Sequence, residues 1–403
     1  MSAAAADLLD LASYADGPPH ALFRQLRAED PVHWQAYAEG GGLWAVMKYA
    51  DVVHVSRDPA TFSSYAGGTM VDDAPPPQLA MIRMMMLNMD PPQHTKLRLL
   101  VNKGFTPSAV ARLQQRVGEL AARIVDAVAS RGSCDFVAEV AGELPSYVIA
   151  ELLGIPLEDG YRLYELTEIM NTGLIGDKRA MKAGAEMFGY STELVARKRA
   201  DPRDDIATSL LHAEVDGQRL TESEFNFFFM LLINAGGDTT RNLVAGGMCA
   251  LMDHPEERAK LEAEPSLLPT AVEELLRYVG TFIAFLRTAT KDTELRGVPV
   301  KEGDRVAMFY PSANRDEAQF VDPDRFDVTR KPNPHLAFGG GGTHFCLGAN
   351  LARVEAAALV SEVLSRMKNM ELAGPIERMP STLIAGIHSM PVRFTPARRM
   401  GAW

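Results

Sequence analysis

Cys346 lies in the stretch Phe338-Gly339-Gly340-Gly341-Gly342-Thr343-His344-Phe345-Cys346-Leu347-Gly348. The run of glycines keeps the backbone free of side chains, so that a flat group can lie close against it. The residues that follow, Ala349 to Val360, are strongly apolar and read as a helix. The cysteine therefore sits just ahead of a helix N-terminus, where backbone N–H groups and the helix dipole stabilise a thiolate. A thiolate beside a glycine-lined surface is what a haem iron needs as its proximal ligand, and such a ligand favours O–O cleavage. The competing reading is a free cysteine buried in a glycine-rich turn, the usual fate of a lone Cys.

A second stretch with chemical content is Ala235-Gly236-Gly237-Asp238-Thr239-Thr240. It falls in the middle of a helix that opens on a capping box, Thr221 with Glu224, and ends before His254-Pro255. The segment is apolar nearly all round, which predicts a helix buried through the middle of the protein. Each mid-helix glycine costs roughly 1 kcal/mol against alanine. That cost marks either a site or a place of close helix packing. Helical periodicity puts Leu231 and Ala235 on the face of Thr239, where they line a pocket, with Asn234 as a further contact.

His94 and Arg98 are one helical turn apart and can reach the same object. Glu274 and Arg277 share a helix face at i, i+3, a spacing that most often makes a surface salt bridge of little worth. Thr281 to Thr288 alternates like a strand, and Ile387 and His388 lie in a C-terminal turn segment. Met81, Met84, Met85, Met86 and Met89 recur at helical spacings, as core or as a pliable lid.

Together these segments resemble the cytochrome P-450 superfamily, over essentially the whole chain. The cysteine loop is similar to its haem-binding loop, with Phe338 one residue further from Cys346 than in the commonest form. That longer form resembles a bacterial branch acting on sterol side chains, terpenoids and methyl-branched lipids. The resemblance implies a mainly α fold with small β-regions (α+β). Haem b would lie between the long central helix and the helix after the cysteine loop. Cys346 would be the iron ligand, with Phe338, Gly348 and Ala235 against the haem. His94, Arg98, Arg287 and His344 would hold its propionates. Thr239 would hydrogen-bond the oxygen to be cleaved and Asp238 would relay protons, since an acid beside a hydroxyl supplies such a relay. Glu274, Arg277 and Arg325 would form a buried structural network under the cysteine loop. Met84, Met86, Leu231, Asn234, Ala235, Ile283, Phe285, Ile387 and His388 would face substrate.

The activity implied is a monooxygenase hydroxylating a C–H bond of a lipophilic substrate with dioxygen. Electrons would come from an NAD(P)H-dependent reductase through a ferredoxin, because the chain shows no Gly-x-Gly-x-x-Gly element and no iron–sulfur cysteine spacing. A peroxide-driven peroxygenase and a non-catalytic haem or lipid binder are the rival readings.

Composition agrees. The 403 residues carry a net charge of −11, which argues against nucleic acid. Three distant cysteines (Cys134, Cys249, Cys346) make neither a disulfide framework nor a zinc site. No signal peptide or membrane anchor is expected, and no composition shift marks a boundary, so the reading is one domain, monomeric and cytoplasmic. From Pro91 to Gly118 there are five basic residues (Lys96, Arg98, Lys103, Arg112, Arg116) and no acidic ones. This is a solvated face or a docking patch for an acidic electron donor.

Overall fold

The computed structural model describes residues 7–38, 40–71, 75–172, 177–215 and 217–399; the side chains of Lys103, Asn171, Thr172 and Val215 are also outside the description. Eight helices position the candidate site: α1 (Gln93–Val101), α2 (Pro107–Ala129), α3 (Glu143–Leu153), α4 (Leu157–Thr172), α5 (Lys178–Ala200), α6 (Glu222–Asp253), α7 (Leu268–Val279) and α8 (Ala349–Arg366). A five-stranded sheet uses β1 (Val32–Ala36), β2 (Gly42–Val46), β3 (Phe62–Ser63), β4 (Ala284–Ala289) and β5 (Arg305–Phe309), in the order β1-β2-β5-β4-β3. Only the β2–β5 pair is parallel, with Arg305 opposite Leu43. A hairpin of β6 (Glu377–Met379) and β7 (Gly386–Ser389) closes the C-terminal region.

Helix α6 opens on the capping box read from sequence: Thr221 Oγ1 accepts from the Glu224 N–H, and Glu224 accepts from the Thr221 N–H at 2.8 Å. Its glycines are places of close approach. A Cβ on Gly236 would come within 2.3 Å of Ile149 on α3, and one on Gly237 within 2.7 Å of the Tyr164 ring on α4. Further along, Gly246 faces Val279 and Gly247 faces Leu275 of α7 in the same way. The close-packing reading of these glycines is therefore the geometric one. Phe225, Phe228 and Phe229 are buried in the large core.

The buried clamp is present with one change of membership. Arg277 donates to Glu274 through Nε and Nη2, both at 2.8 Å, and neither side chain is exposed. Arg277 also donates to the carbonyls of Asn314, Pro323 and Arg325. The third side chain on Glu274 is Arg330, Nε to Oε1 at 3.2 Å, joined by Asn333 Nδ2 at 3.0 Å. Arg325, expected in that place, gives only its carbonyl; its side chain is 60% exposed beside Asp327. The turn between Asp322 and Thr329 points it outward, and the chain returns to Glu274 five residues later.

Other expectations shift as well. The strand starts at Ala284, so Ile283 does not share a face with Phe285. Ile283 is buried with Leu8, Tyr14 and Phe309, while Phe285 lies against Phe282 with ring centroids 4.7 Å apart. Met84 is 40% exposed whereas Met86 is core, because the helix at Pro76–Ile82 ends before both. Among the described residues no single helix is long and apolar enough to cross a membrane; Met1 to Ala6 lie outside them.

Removing Arg277 leaves Glu274 buried with fewer donors, so Arg277→Ala should destabilise the fold by about 3–5 kcal/mol. Arg325→Ala should stay within about 0.5 kcal/mol. Equilibrium denaturation of the two variants checks both. His20 gives a pH test. Burial, then the nearby Arg315, Arg27, Arg24 and Arg277, depress its pKa to about 2. The unfolded chain binds this proton below about 6.5 and the folded one does not. The stability His20 contributes above that pH is therefore lost as pH falls toward 2, and His20→Gln should flatten the acid limb of stability against pH.

Candidate haem site

The cysteine loop is held from the other end of the chain. Gly339, Gly341 and Gly342 have φ of +96°, +86° and +75°, a region other residues rarely adopt. The loop packs on the helix Tyr49–Arg57: Ser56 Oγ donates to the Gly341 carbonyl at 2.9 Å and Arg57 Nε to that of Gly340 at 3.2 Å. A Cβ on Gly340 would meet Ser56 at 2.7 Å. The glycines thus seat the loop on that helix, whereas a Cβ on Gly348, at the head of α8, would meet nothing within 4 Å.

The Cys346 N–H donates to the Phe338 carbonyl at 3.0 Å, closing the loop. Arg353 of α8 stacks on the Phe338 ring, 4.5 Å from its centroid. Cys346 is reachable by solvent, yet the protein around it pushes its thiol pKa up. The Gly348 N–H and the charges of Arg98 and Arg353 act in the opposite sense.

Four cationic or donor side chains converge near this loop. The rings of His94 and His344 are 4.2 Å apart. Burial and then neighbouring cations depress both: His94 to about 4, with Arg98 the largest charge, and His344 to about 2, with Arg287 first. Arg98 donates to the Thr343 carbonyl at 3.1 Å and to that of Phe345. Arg287 is 4% exposed and donates to the Leu286 carbonyl at 2.7 Å. Neither arginine forms an ion pair among the described residues, and His94 Nδ1 is buried without a hydrogen-bond partner. Asp90, the nearby carboxylate, is taken up by Ser63 Oγ and the Ser64 N–H. A buried guanidinium (Arg287), a half-buried one (Arg98) and an orphaned imidazole nitrogen are a donor set that a dianion would satisfy.

On α6, Ala235 is exposed although it lies mid-helix in the protein interior. Thr239 Oγ1 donates to the Ala235 carbonyl at 2.8 Å. Asp238 is 6% exposed and pairs with Arg241 at 3.1 Å. Arg241 continues to Glu168 on α4, whose side chain is 35% exposed, and lies over the Tyr164 ring. A chain of charged groups therefore runs from the buried Asp238 toward the surface. Asn242 ties α6 to the C-terminal hairpin, donating to the Asp238 carbonyl and accepting from the Ile387 N–H, each at 2.8 Å. Ile387 is buried at that contact and His388 is exposed. Leu231 packs against the core and Asn234 is half-buried.

Sequence reasoning missed Arg241, Glu168 and Glu355. Arg241 stands at i+3 from Asp238, a legible signal. Glu355 was legible as the lone acid in the apolar run from Ala349 to Val360. It is 3% exposed on α8; burial raises its pKa to about 8, opposed by a hydrogen bond from Thr240. Glu168 is brought in only by the fold.

Comparison with known proteins accords with this geometry. The cytochrome P450 family model matches residues 159–383. Steroid C26-monooxygenase of Mycobacterium tuberculosis (strain ATCC 25618 / H37Rv) is 40% identical, over 96% of this chain and 92% of its own. The methyl-branched lipid omega-hydroxylase of the same strain is 39% identical over 96% and 94%. Among solved structures, Mycobacterium marinum cytochrome P450 CYP268A2 in complex with pseudoionone superposes with a TM-score of 0.88. It is 37% identical and the match covers 97% of this chain and 98% of that one. The chain belongs to the cytochrome P450 family, and its cofactor is a thiolate-ligated haem.

Glu355 yields a prediction at this interface of α6 and α8. The unfolded chain loses its proton near pH 4.5 and the folded one near 8, so its ionisation erodes stability as pH rises between those values. Glu355→Gln should remove that loss, so urea unfolding at pH 5 and at pH 8 should give more similar stabilities than in the parent.

Proposed function

We propose that this chain is a monooxygenase that hydroxylates a C–H bond of a sterol, terpenoid or branched alkyl chain, with Cys346 holding the haem iron. The names of the steroid and methyl-branched lipid enzymes above support the substrate class. The observation that carries the cofactor assignment is the pair of carboxylate-free arginines, Arg287 buried and Arg98 half-buried, beside His94 and His344. Arg98, Arg287, His94 and His344 bind and orient the two propionates, and their surplus positive charge is the complement of that dianion. When bound, the haem supplies dioxygen activation, with the thiolate favouring O–O cleavage.

The chain's own residues supply position and protons. Ala235 leaves room beside the helix. Thr239 Oγ1 holds a proton that it can present on the same face, and Asp238, held in place by Arg241 and through it by Glu168, passes protons to it from solvent. Asp238–Thr239 favours this reading over a peroxygenase, which needs no relay. The core that reaches from Met86 to Phe394 supports a single domain.

The electron donor we propose is a ferredoxin with its reductase, docking near Lys96 and Arg112, both exposed. The expected patch is smaller than its sequence: Arg98 turns to the cysteine loop and Arg116 pairs with Glu119 and Glu151. The Lys103 side chain lies outside the described residues. Reduction of Lys96→Glu/Arg112→Glu by a ferredoxin should be slower and less salt-dependent than in the parent; stopped-flow rates check it.

A carbon monoxide difference spectrum of the reduced protein tests the haem assignment. The red-shifted band of a thiolate-ligated haem should appear in the parent and be absent from Cys346→His. Thr239→Ala should lower coupled product formation by about 100-fold while oxygen use continues as peroxide. Unchanged coupling would remove Thr239 from the relay.

A further inference from the structure

Helix α5 begins Lys178-Arg179-Ala180-Met181-Lys182. Lys178, Arg179 and Lys182 are exposed. Helical spacing puts Lys178 and Lys182 on one stripe, with Arg179 one residue round from it in the i, i+4 line of the buried Ala183. None of the three forms an ion pair among the described residues, whereas Arg162, Arg199 and Arg203 of the same region all do. Of the nearby carboxylates, Asp177 accepts from the Arg179 N–H at 2.7 Å and Glu186 is held by Arg162. Cations in a first turn oppose the helix dipole. In a chain of net charge −11, an uncompensated group of this kind points to an anionic ligand.

The flank also lies on the way to the site. Helix α5 runs antiparallel over α6: Ser191 donates to Asn226 at 2.7 Å, and Phe188 meets Phe227 with centroids 6.0 Å apart. From Phe188 back to Lys178 the helix rises about 15 Å, and from Phe227 to Ala235 about 12 Å in the same direction. The start of α5 therefore lies on the Ala235 side of that contact along α6.

We propose that Lys178, Arg179 and Lys182 bind the phosphate-bearing head group of a lipophilic substrate, the chemistry of an acyl or steroidal coenzyme A thioester, whose tail extends to the Ala235–Thr239 face. This rests on the hydroxylase reading of that face. A bilayer is a poorer match: recognition of anionic lipid takes about four to eight cations, and Met181, 68% exposed, is too small an apolar face for insertion.

The test is an optical titration of the haem-loaded enzyme with a neutral sterol, a steroidal or long-chain carboxylic acid, and the coenzyme A thioester of that acid. The thioester should bind about 10-fold or more tightly than the free acid at low salt. The preference should vanish in Lys178→Glu/Arg179→Glu/Lys182→Glu and in about 1 M salt, where the Debye length is ~3 Å. Neutral sterol binding should be unchanged in that variant. Equal affinity for acid and thioester in the parent, or a preference that survives in the triple variant, overturns the proposal. If none of the three ligands perturbs the haem, the lipid hydroxylase reading fails. Equilibrium dialysis of coenzyme A then decides the head-group site: binding lost in the triple variant upholds it, and no binding overturns it. Cosedimentation with anionic phospholipid vesicles through these residues, without thioester preference, would give the flank to a bilayer and overturn the proposal.

Discussion

The Glu274–Arg277 pair is the constraint on which the rest of the site depends. Both side chains are fully buried, so each charge must find its partners inside the protein. Arg277 does so by collecting three carbonyls from Asn314 to Arg325, and Glu274 by collecting the Asp327 N–H, Arg330 and Asn333. Those contacts fix an irregular segment that carries few backbone ladders of its own. The same segment leads into Leu336, whose N–H donates to Asn314 Oδ1 at 2.6 Å, and so into the cysteine loop. The neighbouring Glu273 holds Arg353 and His335 from the other face of α7. One helix therefore anchors both the approach to Cys346 and the helix that follows it.

Helix α6 supplies the opposite wall, and its chemistry follows from its packing. Gly236 and Gly237 admit Ile149 and Tyr164. Tyr164 in turn lies under Arg241, the partner of Asp238. The small residues that let α4 approach are thus also what places the Asp238–Arg241–Glu168 chain. Packing and the placement of these charges share the same cause.

The regular parts of this arrangement were legible in the sequence, because they rest on local rules. The capping box at Thr221, the long apolar α6, the helix after Gly348 and the His94/Arg98 spacing each depend on residues within a turn or two of one another. Three features were not legible. Arg330 rather than Arg325 reaches Glu274 because of how an irregular turn points its side chains, which no periodicity encodes. Ile283 departs from Phe285 because the regular strand begins at Ala284, three residues later than the alternation. The glycines of the cysteine loop read as clearance for a flat ligand, but Gly339, Gly341 and Gly342 serve left-handed backbone, and Gly340 and Gly341 accept from Arg57 and Ser56. That contact spans 285 residues, beyond the reach of any local signal.

The seating of the cysteine loop on the helix Tyr49–Arg57 bears on the order in which the protein is made. During synthesis the N-terminal helix leaves the ribosome long before Gly340 and Gly341 exist, and its Ser56 and Arg57 wait for partners from the last part of the chain. The cation cluster is assembled as late, since His94 and Arg98 meet His344 only then. Contacts of such separation are slow to form because loop-closure entropy is lost before they can reward it. The haem cradle is thus completed only when the segment around Gly348 has been made, and a chain halted before it has most of the helices named above but no cradle.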